Sequence, residues 1–162
     1  MRITRSLVAL SAFSLCTVRA LLEERFVDFA ARNESVDIGR ATIVADANDY
    51  VGVHIALKSL ANDLEQITGT RPAIRNLTLN STQSVPAASL IVGSVNSTLI
   101  RSLSARGIVD VSDIEGRWEM FKTAVVEKPF AGINRALVVT GSDKRGTIFG
   151  IHTLAEQSGQ SP

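Results

Sequence analysis

The 162-residue chain has a single cysteine, four prolines and only 5% aromatic residues, and its 17 basic and 16 acidic side chains leave a net charge of +1. One thiol cannot close an intrachain disulfide, and it excludes both a disulfide framework and a cysteine-rich zinc site. A near-neutral chain has no electrostatic basis for holding a nucleic acid. No apolar run reaches the roughly 18 residues that a membrane-spanning helix needs. What is present suffices for a core: 45% of the residues are hydrophobic and 20% charged, too apolar a balance for a disordered chain. With so few rings that core must be aliphatic, and the length fits one domain.

The first twenty residues read as a secretory signal. Arg2 and Arg5 form a basic start, residues 7–16 an apolar run of signal length, and Val18-Arg19-Ala20 a small-residue cleavage site. Cleavage after Ala20 removes Cys16 and leaves residues 21–162 as a thiol-free α/β domain with 14 basic and 16 acidic side chains. The expected location is extracellular, with no membrane contact after cleavage. Four of the seven asparagines, Asn33, Asn76, Asn80 and Asn96, lie in Asn-x-Ser/Thr sequons, which fits N-glycosylation along a eukaryotic secretory route.

Along the mature chain, residues 26–30 alternate apolar and polar, as either a short strand or the end of a fraying lead-in would. Residues 42–45 form a β-branched run ending in Asp46-Ala47-Asn48-Asp49, whose short oxygens suit a helix cap. Val53, Ala56, Leu57, Leu60, Ala61, Leu64 and Ile67 then recur at three- and four-residue steps, predicting one buried helix face up to Gly69. Residues 71–74 form a short extended piece, 76–89 a polar loop, and 90–93 a buried strand. Residues 96–105 form a second helix ended by Gly107. Residues 118–126 and 135–140 form a hairpin across a Pro/Gly turn, and residues 147–157 a last helix. The order β-α-β-β-α followed by a hairpin and a helix predicts a layered α/β domain, a mixed sheet with helices packed on it.

Gly141-Ser142-Asp143-Lys144-Arg145-Gly146-Thr147 follows a strand and opens a helix with the glycine spacing of a phosphate loop. A nucleotide loop needs lysine directly after the second glycine, and Thr147 stands there. The residue types suit a turn in which Asp143 or Ser142 caps the last helix. Alternatively, Asp143, Lys144 and Arg145 face a neighbouring domain or an anionic group. His54 and His152 fall on different helices with no carboxylate at ligand spacing, so no metal site and no cofactor is expected. The pairs Asp46/Asp49, Asp110/Asp113 and Glu115/Glu119 suit caps and solvated faces better than glycoside hydrolysis. Trp118 suits a core strand better than a sugar platform, and no Gly-x-Ser-x-Gly nucleophile elbow is present.

Residues 43–53, 110–119 and above all 141–151 (Gly-Ser-Asp-Lys-Arg-Gly-Thr-Ile-Phe-Gly-Ile) resemble, in order and spacing, the N-terminal part of the glycoside hydrolase family 115 α-glucuronidases. Glu156-Gln157-Ser158-Gly159-Gln160-Ser161-Pro162 matches the segment that in this family precedes an aromatic run and the catalytic barrel. The resemblance implies an α/β domain similar to the small domain preceding the barrel in hexosaminidases. It also implies a secreted, fungal-type enzyme of xylan degradation that removes glucuronic or 4-O-methylglucuronic acid side chains with inversion. On that reading the chain is a fragment truncated before the barrel, with no catalytic residue and no activity alone. Its partners are its own catalytic barrel and, through the full-length enzyme, glucuronoxylan, with Ser142, Asp143, Lys144 and Arg145 as a possible substrate- or barrel-facing loop. The other reading is a free-standing secreted carbohydrate-binding or interaction module.

Overall fold

A computed structural model describes residues 26–27, 35–78 and 88–159. The signal segment, Asn33 and Asn80 lie outside these residues, as do residues 28–30 of the first expected strand. Phe26 and Val27 pack at the edge of the core, and both backbone N–H groups donate to Gln157 Oε1 at 2.8 and 3.2 Å.

After a short 3-10 turn at Ile38–Arg40, the elements are β1 (Thr42–Asp46), α1 (Val51–Thr68), β2 (Ile74–Leu77), β3 (Ala88–Ser94), α2 (Thr98–Ala105), β4 (Phe121–Glu127), β5 (Arg135–Gly141) and α3 (Lys144–Gln157). They build a five-stranded mixed sheet of order β2-β1-β3-β5-β4. β2, β1, β3 and β5 run parallel, and β4 is antiparallel to β5, pairing Phe121 with Gly141 and Glu127 with Arg135. The α/β layering expected from the order of elements is the one observed.

The central strands are apolar on both faces because both are covered, the pattern of parallel strands under crossover helices. On one face Ile43, Ala45, Leu90, Val92, Leu137 and Val139 pack under α1 and α3. On the other, Val44, Ile91, Ala136 and Val138 pack under α2 and the 108–114 segment. Each fully buried Leu, Ile or Val contributes about 1.5–3 kcal/mol, more than a typical helix cap at about 1 kcal/mol. Aliphatic packing therefore dominates the stability of these layers.

α1 buries Val53, Ala56, Leu57, Leu60, Ala61 and Leu64 as the spacing predicts, and Gly69 closes it in the left-handed conformation (φ 72°). Ile67 departs from the prediction and is exposed. A helix of 18 residues is about 27 Å long, whereas the five residues of β1 reach about 17 Å, so the last turn of α1 overhangs the sheet. β2 also differs, since it continues through Asn76 and Leu77, where a polar loop is expected. Pairing with β1 and burial of Leu77 override the polar composition. α3 begins three residues before the expected start, at Lys144, because Asp143 caps it.

Candidate functional site

The carboxyl ends of β1, β3 and β5 lie side by side, and the loops that follow them hold most of the polar residues singled out from the sequence. In open α/β sheets this edge, where the strand order reverses, is the usual ligand crevice. Here the chain's own carboxylates fill it. Asp46, 1% exposed, accepts hydrogen bonds from the backbone N–H and the hydroxyl of Thr98 at 2.5 Å each, and from the Asn48 N–H at 2.9 Å. Asp49 accepts from the Ser94 N–H at 2.8 Å, the Ser94 hydroxyl at 3.0 Å and the Tyr50 N–H at 2.8 Å. The Ser97 hydroxyl accepts from the Ile100 N–H, completing the cap of α2.

Of the Asp46-to-Asp49 cluster, Asp46 does bond the start of a helix, but it is α2 rather than the α1 that follows in sequence, while Asp49 ties the end of β3. The N-cap of α1 is Tyr50, whose side chain makes no capping bond. Register sets this outcome, because β1 and β3 are neighbours and the end of β1 therefore meets the first turn of α2. Burial pushes the Asp46 carboxyl up, but the Thr98 hydroxyl and the N–H groups of Asn48, Thr98 and Leu99 outweigh it and hold it below the usual carboxylate range.

The glycine-spaced loop is a structural junction of the same kind. Asp143 Oδ1 accepts from the Gly146 N–H at 2.7 Å, its Oδ2 from the Glu119 N–H at 3.1 Å, and its carbonyl from the Thr147 hydroxyl at 2.7 Å. Ser142 donates its N–H to the Met120 carbonyl at 2.8 Å and accepts the Met120 N–H on its hydroxyl at 3.0 Å. The Gly146 N–H, followed by the Glu119 N–H, holds the Asp143 carboxyl low, with the nearby Arg145 charge adding to it. The anion at the start of α3 is thus supplied internally. Of the four loop residues, Ser142 and Asp143 point into this junction. Lys144 and Arg145 are exposed, with Arg145 in a 2.9 Å ion pair with Glu119.

Depressed carboxyls of this type add stability in full above about pH 4, where unfolded-state carboxyls ionise, and lose it as pH falls through their lower folded values. The urea midpoint is therefore expected to fall steeply below about pH 4. Asp143→Asn should start from a lower midpoint at neutral pH and show a shallower acid limb. Equal acid limbs in the two proteins would remove Asp143 from the account.

Around these junctions several large apolar side chains are exposed among the charged ones. Trp118 is 85% exposed, Val51 74% and Ile55 63%. Met120, Phe149 and Tyr50 are also exposed. The segments that carry them meet: Gly52 lies against the Lys144 and Ile148 side chains, Gly146 against the Met120 backbone, and Arg145 pairs with Glu119, so the first turns of α1 and α3 and residues 119–120 are neighbours. Trp118 thus departs from the core position expected of it. It precedes β4 on a loop in which Gly116 and Glu119 have φ of 72° and 56°, and this path turns the ring outward. The apolar spacing of α1 and α3 gave no sign of this face, because Val51, Ile55 and Phe149 lie off the buried stripes.

The other sequence candidates have structural roles. Asp110 accepts from the Ser112 N–H, and Asp113 pairs with Lys122 at 2.9 Å. His54 lies on α1 and His152 on α3. Among the described residues no cluster of three His, Cys, Asp or Glu side chains could hold a metal ion. Asn76 and Asn96 are exposed, Asn76 on β2 and Asn96 on the turn before α2, where its Oδ1 accepts from Arg101 at 3.0 Å.

No family model and no curated protein matches the chain. Among solved structures, it is similar to one described as a family GH115 4-O-methyl-alpha-glucuronidase, BtGH115A, with specificity for decorated arabinogalactans. The match has a TM-score of 0.58 and 26% identity over 76% of this chain. The chain spans 14% of the length of that protein. The α/β unit is therefore a GH115-like domain, related to one part of a much longer glucuronidase chain.

Proposed function

We propose that this chain is the non-catalytic α/β domain of a secreted xylan α-1,2-glucuronidase, and that the face around Trp118 seats the catalytic domain of that enzyme. The observation that carries the reading is a tryptophan 85% exposed, with Met120 and Phe149 exposed as well, in a domain whose solved relative is embedded in a chain about seven times the matched length. Exposed aromatic, methionine and arginine side chains are the residues enriched at interface anchors. Three carboxyls among the described residues fit a structural role better than a general acid's. Inverting hydrolysis needs a general acid whose pKa is raised toward neutrality, whereas Asp46, Asp110 and Asp143 are all displaced downward.

Turnover of aldouronic acids by the purified chain would overturn this reading. Trp118→Ser with Phe149→Ser should leave the unfolding free energy within about 0.5 kcal/mol, as exposed substitutions do, while lowering self-association and hydrophobic-dye binding in the isolated domain. Unchanged dye binding would remove the face as a docking surface.

A second reading, a free-standing carbohydrate-binding module, is favoured by one feature: the exposed Trp118 follows exposed Arg117 in sequence and precedes Glu119, which pairs with Arg145. Affinity electrophoresis in glucuronoxylan separates the two. Retardation abolished by Trp118→Ala, or by Lys144→Ala with Arg145→Ala, would establish the module, and mobility independent of the polysaccharide is expected of a scaffold domain.

A further inference from the structure

β2 is an edge strand of the sheet, and among the described residues no strand pairs with the outer side of its backbone. The Ile43 N–H donates to the Ala73 carbonyl at 2.8 Å and the Ala47 N–H to the Leu77 carbonyl at 2.9 Å. Alternation in a parallel ladder then turns the backbone groups of residues 73, 75 and 77 toward β1, and those of Ile74 and Asn76 away from the sheet. An outward row of free N–H and C=O groups is a template for a further strand. β4, the edge strand at the other end of the sheet, carries Lys122 bonded to Asp113 and Glu127 paired with Arg135. β2 has Arg75 as its one charge, no proline and a buried Leu77.

Asn76 stands on this open edge with its side chain exposed, and Asn76-Leu77-Thr78 is a sequon with Thr78 exposed as well. We infer that Asn76 is N-glycosylated and that its glycan closes the β2 edge against strand addition. In the transfer step, Asn76 Nδ2 attacks the anomeric carbon of a lipid-diphosphate-linked oligosaccharide. A C–N bond forms, the bond from that carbon to the diphosphate oxygen breaks, the lipid diphosphate leaves with the electron pair, and one amide proton is released. A bulky hydrated group at the centre of a four-residue edge leaves no room for a neighbouring chain to add a strand. The inference rests on the secretory reading given under the proposed function.

The test uses the full chain with its own leader in a eukaryotic secretory host, and reads site occupancy by the Asn-to-Asp conversion that enzymatic deglycosylation leaves. Sedimentation velocity reads self-association. Asn76 is expected to be occupied in the wild type and in Thr78→Ser, and vacant in Asn76→Gln and Thr78→Ala, which should both show a several-fold larger associated fraction. Asn76→Lys, unglycosylated but charged on the same edge, should return toward the monomer, a rescue that a mere folding defect would not show. Occupied Asn96 with vacant Asn76 in the wild type overturns the inference and leaves the secretory reading standing. A chain that is not exported overturns both. Occupied Asn76 with Asn76→Gln and Thr78→Ala as monomeric as the wild type overturns the guarding role.

Discussion

Alanine at Gly141 is expected to cost about 3 kcal/mol or more, a large part of the 5–15 kcal/mol that holds a domain of this size. Gly141 ends β5, and α3 starts so soon after it that the backbone of Gly146 and Thr147 folds back over its α-carbon. A methyl group there would overlap the Thr147 nitrogen and the Gly146 carbonyl carbon. Both are main-chain atoms of a helix whose first turn is held by Asp143, so no rotamer change relieves the overlap. Ordinary overpacking in a core costs about 1–3 kcal/mol because side chains yield. Here the backbone must yield, and with it the packing of α3 on β5. Gly146→Ala should behave alike, since its methyl would strike the Met120 carbonyl. Lys144→Ala, in the same loop but exposed, should change stability by less than about 0.5 kcal/mol. Urea unfolding of the three variants checks the set, and a Gly141→Ala protein as stable as Lys144→Ala would show that the strand-to-helix turn is loose.

Removing the Asp46 carboxylate is the second large effect, about 2–3 kcal/mol for Asp46→Ala. A helix cap alone is worth about 1 kcal/mol, but Asp46 also satisfies the Thr98 hydroxyl and the Asn48 N–H. A fully buried donor left without an acceptor costs about 1–3 kcal/mol, and these part-buried donors, on exposed Asn48 and Thr98, lie toward the lower end of that range. Asp46→Asn should lose less, since its one carbonyl oxygen still accepts while its amide faces donors. The acid limb of the stability curve should flatten in both variants, because the depressed carboxyl of Asp46 is lost. Denaturant midpoints at neutral pH and near pH 3 measure both effects, and an Asp46→Ala midpoint equal to the wild type would refute the bridging role. Since Asp46 joins β1 to α2 across 52 positions of sequence, hydrogen exchange in the first turn of α2 should also rise.

The glycine-spaced loop shows how far residue types can be read. Its spacing imitates a phosphate loop, and the lysine missing after Gly146 is enough to argue against a nucleotide. Asp143 as a helix cap was legible in the same residues. The close approaches that require both glycines were not, because the atoms they accommodate belong partly to Met120, more than twenty positions away. Trp118 illustrates the opposite limit. One tryptophan next to a β-rich stretch reads as core, and only the path of the 116–119 loop turns it to solvent.

Composition and periodicity by themselves determined the α/β layering, the apolar central strands and the buried stripe of α1, because each depends on residues a few positions apart on one strand or helix. Strand order did not follow from them. Placing β3 beside β1 put the α2 start against Asp46, moved capping from the helix next in sequence to one across the sheet, and filled the ligand crevice with carboxylates. The open edge at Asn76 and the apolar face around Trp118 have the same origin. They exist because of which elements are neighbours in space, a property of long-range packing that local sequence pattern does not encode.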